Sequence, residues 1–161
     1  MIAVSDTSPI CYLILVGEPD LLSKLFTQVL VPRSVVCELR HADAPALVRE
    51  WASQVPSWLR VEDDPAGPIT GLEKLQAGEQ SAILLAERTS PDLLLLDEKS
   101  ARRVAGERGI PVTGGLGLLG EAASRGLLDL AGAIERLRRT NFRYSPALLK
   151  ATLDRFSRGR V

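Results

Sequence analysis

The sequence predicts an α/β fold of three layers, α/β/α, around a central, mainly parallel sheet of about five strands. Two observations carry this expectation. Short strand-like runs recur at "IAVS" (2–5), "VLVP" (29–32), "LRVE" (59–62), "LLLL" (93–96) and "IPVT" (110–113). Helix-period segments lie between them, as in strands joined by helical crossovers. The run "LLLL" is also apolar throughout rather than alternating, the pattern of a strand covered on both faces. A length of 161 residues suits one compact domain, and no repeat, low-complexity tract or linker divides it.

The first strand, 2–5, breaks into Ser5 and Asp6. Ser8 is placed to cap a helix whose first position is Pro9. That helix, 9–15, is apolar nearly all round and belongs in the interior. A second helix begins near Pro19 and carries Leu21, Leu22, Leu25 and Phe26 on one side. After the strand 29–32, Pro32 suits the first turn of a helix over 33–41, with Val35, Val36 and Leu39 facing inward. Residues 45–54 read as helix and 59–62 as an edge strand, and "DDPAGP" (63–68) reads as a turn-rich surface loop. "GEQSAILLAER" (78–88) is an amphipathic helix. The strand 93–96 is followed by a helix over 97–109, stopped at Gly109, and then by the strand 110–113. "GGLG" (114–117) turns tightly into a helix reaching about Arg125. Two further helices cover roughly 130–140 and 145–157.

Hydrophobic residues are 45% and charged residues 25% of the chain, as in soluble globular proteins, while aromatics are only 4%. No apolar run has membrane-spanning length, and the N-terminus lacks the features of a signal peptide. The expectation is a cytoplasmic protein with no membrane contact. Cys11 and Cys37 lack metal-type spacing and are expected in the core. His41, the only histidine, is expected in solvent near a helix C-terminus; a site built on several histidines is excluded.

Net charge is zero but unevenly distributed. Residues 1–98 hold 7 Lys and Arg against 15 Asp and Glu, and residues 99–161 hold 13 against 5. Either a polyanion-binding half adjoins an acidic half, or the segments interleave in space and cancel.

Four carboxylates stand out. Asp6 and Asp97 each follow an apolar strand, so both belong on the carboxyl rim of a parallel sheet, where such folds bind ligands. Glu38 lies three residues beyond inward-facing Val35 and borders the buried stripe of its helix. Glu79 heads a stripe that continues with Ala82, Ile83 and Ala86. Each also has a plainer role open to it. Asp6 could satisfy free N–H groups at the next helix start, Asp97 could cap the helix after it, Glu79 suits a first helical turn, and Glu38 could be a solvated boundary residue. Glu98 is expected to pair with Arg102 at i, i+4.

If the four meet, carboxylates about 5 Å apart repel by roughly 3 kcal/mol per pair at an effective dielectric of 20. A hard divalent cation, Mg2+ or Mn2+, removes that repulsion through oxygen ligands. With no cluster of His or Cys ligands, zinc fits less well.

"VSDTSP" with Asp6, "VPRSVVCEL" with Glu38, "AGEQSAILLA" with Glu79 and "LLLLDEKSARRVA" with Asp97 resemble, in this order, the PIN-domain nucleases. "VTGGLGLLGEAASRGLL" resembles a largely bacterial and archaeal branch of them, and the likeness runs from residue 2 to about 157. It implies a metal-dependent ribonuclease, often the toxin of a toxin–antitoxin pair. Asp6, Glu38, Glu79 and Asp97 would be the catalytic, metal-holding quartet, with Thr7 and Ser8 supporting it. Two departures are Glu79, where many relatives carry Asp, and the absence of a further acid in 113–117. The implied reaction is phosphodiester hydrolysis of RNA, with Lys99, Arg102 and Arg103 holding flanking phosphates. The partners implied on this basis are an antitoxin protein and a second copy of the chain in a homodimer, with the helices 9–15 and 19–27 as a candidate surface.

Two other readings compete. A receiver-like phosphoacceptor domain would need an acidic pair after the first strand and a lysine after the last, and neither is present. A catalytically silent PIN-like module that binds RNA or protein would keep the same acids without turnover.

Overall fold

The computed structural model describes residues 1–140 and 146–157. Five parallel strands, β1 (Ile2–Ser5), β2 (Gln28–Pro32), β3 (Leu59–Glu62), β4 (Leu93–Leu95) and β5 (Val112–Thr113), form one sheet in the order β3-β2-β1-β4-β5. Between and after them run α1 (Thr7–Leu15), α2 (Leu21–Leu25), α3 (Arg33–Leu39), α4 (Ala46–Ala52), α5 (Ala77–Thr89), α6 (Lys99–Glu107), α7 (Gly115–Ser124), α8 (Leu130–Arg138) and α9 (Pro146–Ser157). The predicted three-layer α/β/α fold is the observed one. Residue 145, where the last helix was expected to begin, lies outside the described residues.

Successive strand residues point to opposite faces. Ala3, Val29, Val31 and Leu95 join one core with helices α1 to α4 and α7 to α9, whereas Val4, Leu30, Leu94 and Leu96 join a second core with α5 and α6. Both faces are therefore covered, and this is why the strands read as continuous apolar runs. The chain builds β1, β2 and β3 outward in one direction, then crosses to β4 on the other side of β1. Ser5 pairs with Leu95, and the Asp6 N–H donates to the Leu95 carbonyl at 3.0 Å. The strand order reverses between β1 and β4, so Asp6 and Asp97 flank the crevice that opens at such a switch point.

Several local expectations are corrected. The first helix starts at Thr7 with Asp6 as its N-cap residue, not at Pro9 after Ser8, because the β1 ladder runs directly into the helix. Pro9 then falls at the third helical position, where its missing N–H breaks no bond within the helix. Pro32 closes β2 in extended conformation, paired with Glu62, and α3 begins after it. The second helix is confined to Leu21–Leu25. Cys11 is half-buried and Cys37 is exposed, so neither is a plain core residue. With Val35, Val36 and Leu39 turned inward, the 100° step of a helix carries residues 37 and 38 outward. His41 is exposed just beyond the end of α3, as expected.

Candidate functional site

Asp6 stands at the carboxyl end of the central strand and is only 7% exposed. Its Oδ1 atom is buried and has no hydrogen-bond partner among the described residues, an arrangement that costs about 1–3 kcal/mol or more for a charged group. The local sequence explains why α1 leaves it unsatisfied. An N-cap side chain normally accepts from the second or third helical N–H, and here the third position is Pro9, which has none. No side-chain capping bond forms. Burial pushes the Asp6 carboxyl up to about 7; the Thr7 N–H opposes this, and the charges of Glu38, Glu79 and Asp97 add to it.

Glu38 reaches the same place from α3. The Thr7 hydroxyl donates to its Oε2 at 2.5 Å, while Oε1 turns towards the start of α5. There the chain has Gly78, buried within the first turn. A Cβ on Gly78 would lie 2.6 Å from Glu38 Oε1 and 3.1 Å from Asp6 Oδ1. The two carboxylate oxygens thus face one small volume that any larger residue would occupy. A valine at position 7 would remove the hydroxyl that holds Glu38 there. If the activity implied by the resemblance to the PIN-domain nucleases is present, Thr7→Val is expected to lower it about tenfold, in line with one charge-assisted hydrogen bond to a solvent-reachable carboxylate, and Thr7→Ser to restore most of it. A Thr7→Val protein as active as the native chain would show that this hydroxyl does not position Glu38.

Glu79 is buried and belongs to a capping box: its Oε1 accepts from the Gln76 N–H at 2.9 Å, and the Gln76 side chain accepts from the Glu79 N–H. Burial raises its pKa, the Gln76 N–H opposes, and Glu98 and Glu38 raise it further. Glu98 is therefore a fifth acid in this neighbourhood, and the expected Glu98–Arg102 pair is not formed. Helical spacing does not apply to Glu98, because it is the extended residue before α6. The Arg102 guanidinium instead donates to the carbonyls of Asp97 and Leu96. The signal in the sequence was the second acid of "DE" at a strand end.

Asp97 is half-buried beyond β4, and its Oδ1 accepts from the Gly115 N–H at 2.6 Å. It therefore caps α7 rather than the helix that follows it. A Cβ at Gly114 would lie 3.2 Å from that oxygen, so the "GGLG" turn cradles an anion from within the chain.

A family model described as PIN domain matches residues 2–158. The chain belongs to the PIN-domain family. No curated protein and no solved structure was found to match it. PIN domains are generally nucleases that use divalent metal ions. In this PIN domain the donor set suits such an ion: all four expected acids offer hard oxygens, and the orphaned Asp6 Oδ1 beside Glu38 Oε1 leaves an incomplete oxygen shell over Gly78. Among the described residues, however, no three His, Cys, Asp or Glu side chains are grouped closely enough to hold a metal ion. Asp6 and Glu38 are brought together. Glu79 and Asp97 act on Asp6 by charge, while each gives one oxygen to a helix start. Thr7, not Ser8, makes the hydroxyl contact.

The basic residues expected around Asp97 are placed differently from one another. Arg102 is drawn inward to the strand-end carbonyls, Arg103 pairs with Glu107 on the exposed face of α6, and Lys99 is exposed. The two charge halves partly interleave, since Arg108 pairs with Glu87 and Arg136 with Glu18. Among the described residues no helix is long and apolar enough to cross a membrane.

Proposed function

We propose that this PIN domain is a Mg2+- or Mn2+-dependent ribonuclease that hydrolyses RNA phosphodiester bonds at the rim between β1 and β4. The observation that supports it most directly is the buried, unpartnered Asp6 Oδ1 facing Glu38 Oε1 across Gly78. A fold that leaves a carboxylate in this state forgoes stability, and a function at that oxygen is the natural reason. Asp6 and Glu38 would hold the cation, with Glu79 and Asp97 completing its surroundings. When bound, the cation supplies an acidified water and charge for the phosphate and leaving oxygen. In the metal-free protein burial holds the Asp6 carboxyl near 7, and a cation held there would favour the carboxylate and displace its proton. Thr7 orients Glu38, and the Gly115 N–H orients Asp97. The same reading extends to toxin action restrained by an antitoxin protein, in a cytoplasmic homodimer.

One observation favours the rival reading of a silent RNA- or protein-binding module: Glu79 and Asp97 are each engaged at a helix start, and no three-acid group is closed. Incubation with single-stranded RNA distinguishes the two. The nuclease reading expects cleavage with Mg2+ or Mn2+ that stops when EDTA removes the ion and returns when the ion is restored. RNA left intact under every divalent ion, or cut equally in EDTA, overturns it.

A further inference from the structure

The hydrogen-bond ladder between β4 and β5 is cut short beside Asp97. It runs from the Leu94 N–H to the Pro111 carbonyl at 2.8 Å and from the Leu96 N–H to the Thr113 carbonyl at 2.9 Å. In a parallel pair the next bond would join the Gly115 N–H to the Leu96 carbonyl. The chain turns into α7 instead, and the Gly115 N–H donates to Asp97 Oδ1. Leu96 is fully buried, so its carbonyl needs another donor. The half-buried Arg102 supplies it from α6. Its Nη1 lies 3.4 Å from the Leu96 carbonyl oxygen and also donates to the Asp97 carbonyl. The guanidinium reaches this point because Gly114 has no side chain: a Cβ there would lie 3.0 Å from Nη1 and 3.2 Å from Asp97 Oδ1.

We infer that Arg102 is a positioning residue for Asp97, acting through the end of β4 rather than as a contact to RNA phosphate. By satisfying the Leu96 carbonyl, it leaves the Gly115 N–H to the Asp97 carboxylate. By holding the Asp97 carbonyl, it fixes the rigid peptide plane beyond residue 97, and with it the direction in which the carboxylate leaves the backbone. Without the guanidinium, a buried strand-end carbonyl competes with Asp97 for one N–H. A lysine keeps the charge but lacks the planar fork, so it replaces this role only in part. The effect on cleavage rests on the ribonuclease reading; the effect on the Asp97–Gly115 bond does not.

The test uses the full 15N-labelled chain and single-stranded RNA. In the native protein the Gly115 amide proton should resonate far downfield, as a 2.6 Å bond to a carboxylate implies. Arg102→Ala is expected to move that signal upfield, towards an ordinary backbone bond, with Arg102→Lys in between. With Mg2+ and RNA, Arg102→Ala should lower kcat about a hundredfold, the loss that follows a misplacement of about 1 Å, and Arg102→Lys should recover part of it. KM should stay within about twofold, because the substrate contacts themselves are kept. RNA binding is measured on chains that also carry Asp6→Asn, so that cleavage does not interfere. There the slope of log Kd against log salt should not depend on residue 102, whereas a lost phosphate contact to a single strand would reduce it by about 0.7. Thermal melting checks folding, and Arg102→Lys carries the same readouts if the alanine variant does not fold. The inference is overturned if the Gly115 signal of a folded variant stays where it was. It is also overturned if kcat is unchanged in a chain that cuts RNA, or if the salt slope falls and KM rises as for a phosphate contact. If the Gly115 signal moves as expected while the native chain cuts no RNA, Arg102 positions Asp97 and only the nuclease reading fails.

Discussion

Replacing Asp6 with asparagine is expected to lower the proposed metal-dependent RNA cleavage by about a hundred- to a thousandfold, the usual loss when one charged group is removed from a preorganised site, and to stabilise the metal-free protein. The two effects have one cause. The folded chain holds this carboxyl at a pKa of about 7, against an ordinary value of 3.8. Between those values the native state binds more protons than the unfolded state, so stability falls as pH rises through this window. At about 1.4 kcal/mol for each pH unit, the loss reaches about 4 kcal/mol above pH 7. Asparagine has no proton to lose. Urea unfolding of the two metal-free proteins should therefore give similar stabilities near pH 4 and diverge towards pH 8, with the variant higher. Saturating Mn2+ should raise the melting temperature of the native chain and have little effect on the variant, because only binding to the folded state stabilises it. Parallel stability curves from pH 4 to 8 would refute the buried-carboxylate argument, and undiminished cleavage by the variant would refute the assignment of Asp6.

Gly78→Ala separates stability from activity in a different way. In the middle of a helix alanine is worth roughly 0.5–1 kcal/mol more than glycine, and in the first turn of α5, where Gly78 lies, the gain would be smaller but of the same sign. Here the added methyl would lie 2.6 Å from Glu38 Oε1 and 3.1 Å from Asp6 Oδ1, both inside normal contact distance. Glu38 sits on an exposed part of α3, and the end of its side chain can swing away at little cost to folding. The expected result is a melting temperature within a few degrees of the native value, cleavage reduced about a hundredfold, and affinity for Mn2+, measured by calorimetry, reduced at least tenfold. Gly114→Ala provides the contrast. Its Cβ would meet Arg102, Asp97 and the Leu96 carbonyl at 3.0–3.3 Å, and a backbone atom cannot swing aside, so that variant should lose stability as well. A fully active Gly78→Ala protein would show that the space over Gly78 is not used.

The parts of this molecule that could be read in advance are those set by local pattern. An unbroken apolar run covered on both faces must be an interior strand of a parallel sheet, and an acid placed directly after such a run must emerge at its carboxyl rim. That reasoning places Asp6 and Asp97 correctly from a handful of residues each. It fails for Cys37, because "VVCEL" is apolar in composition while the helical phase carries residue 37 into solvent. It also fails for Glu98, whose extended backbone removes the helical geometry on which the expected pair with Arg102 depended. The capping box at Gln76 and Glu79 is local, yet the expectation of negative charge in a first turn did not specify that one Glu79 oxygen would be committed to it.

Alternation of strands and helices, and hence the rim on which the acids gather, follows from short-range periodicity and burial. Where each carboxylate points is settled by contacts between distant segments: Thr7 with Glu38, Asp97 with Gly115, and the open space above Gly78. Periodicity limits which face a side chain occupies, but a hydrogen bond or a shared hollow depends on ångström-scale approach between helices that only the packed chain brings together.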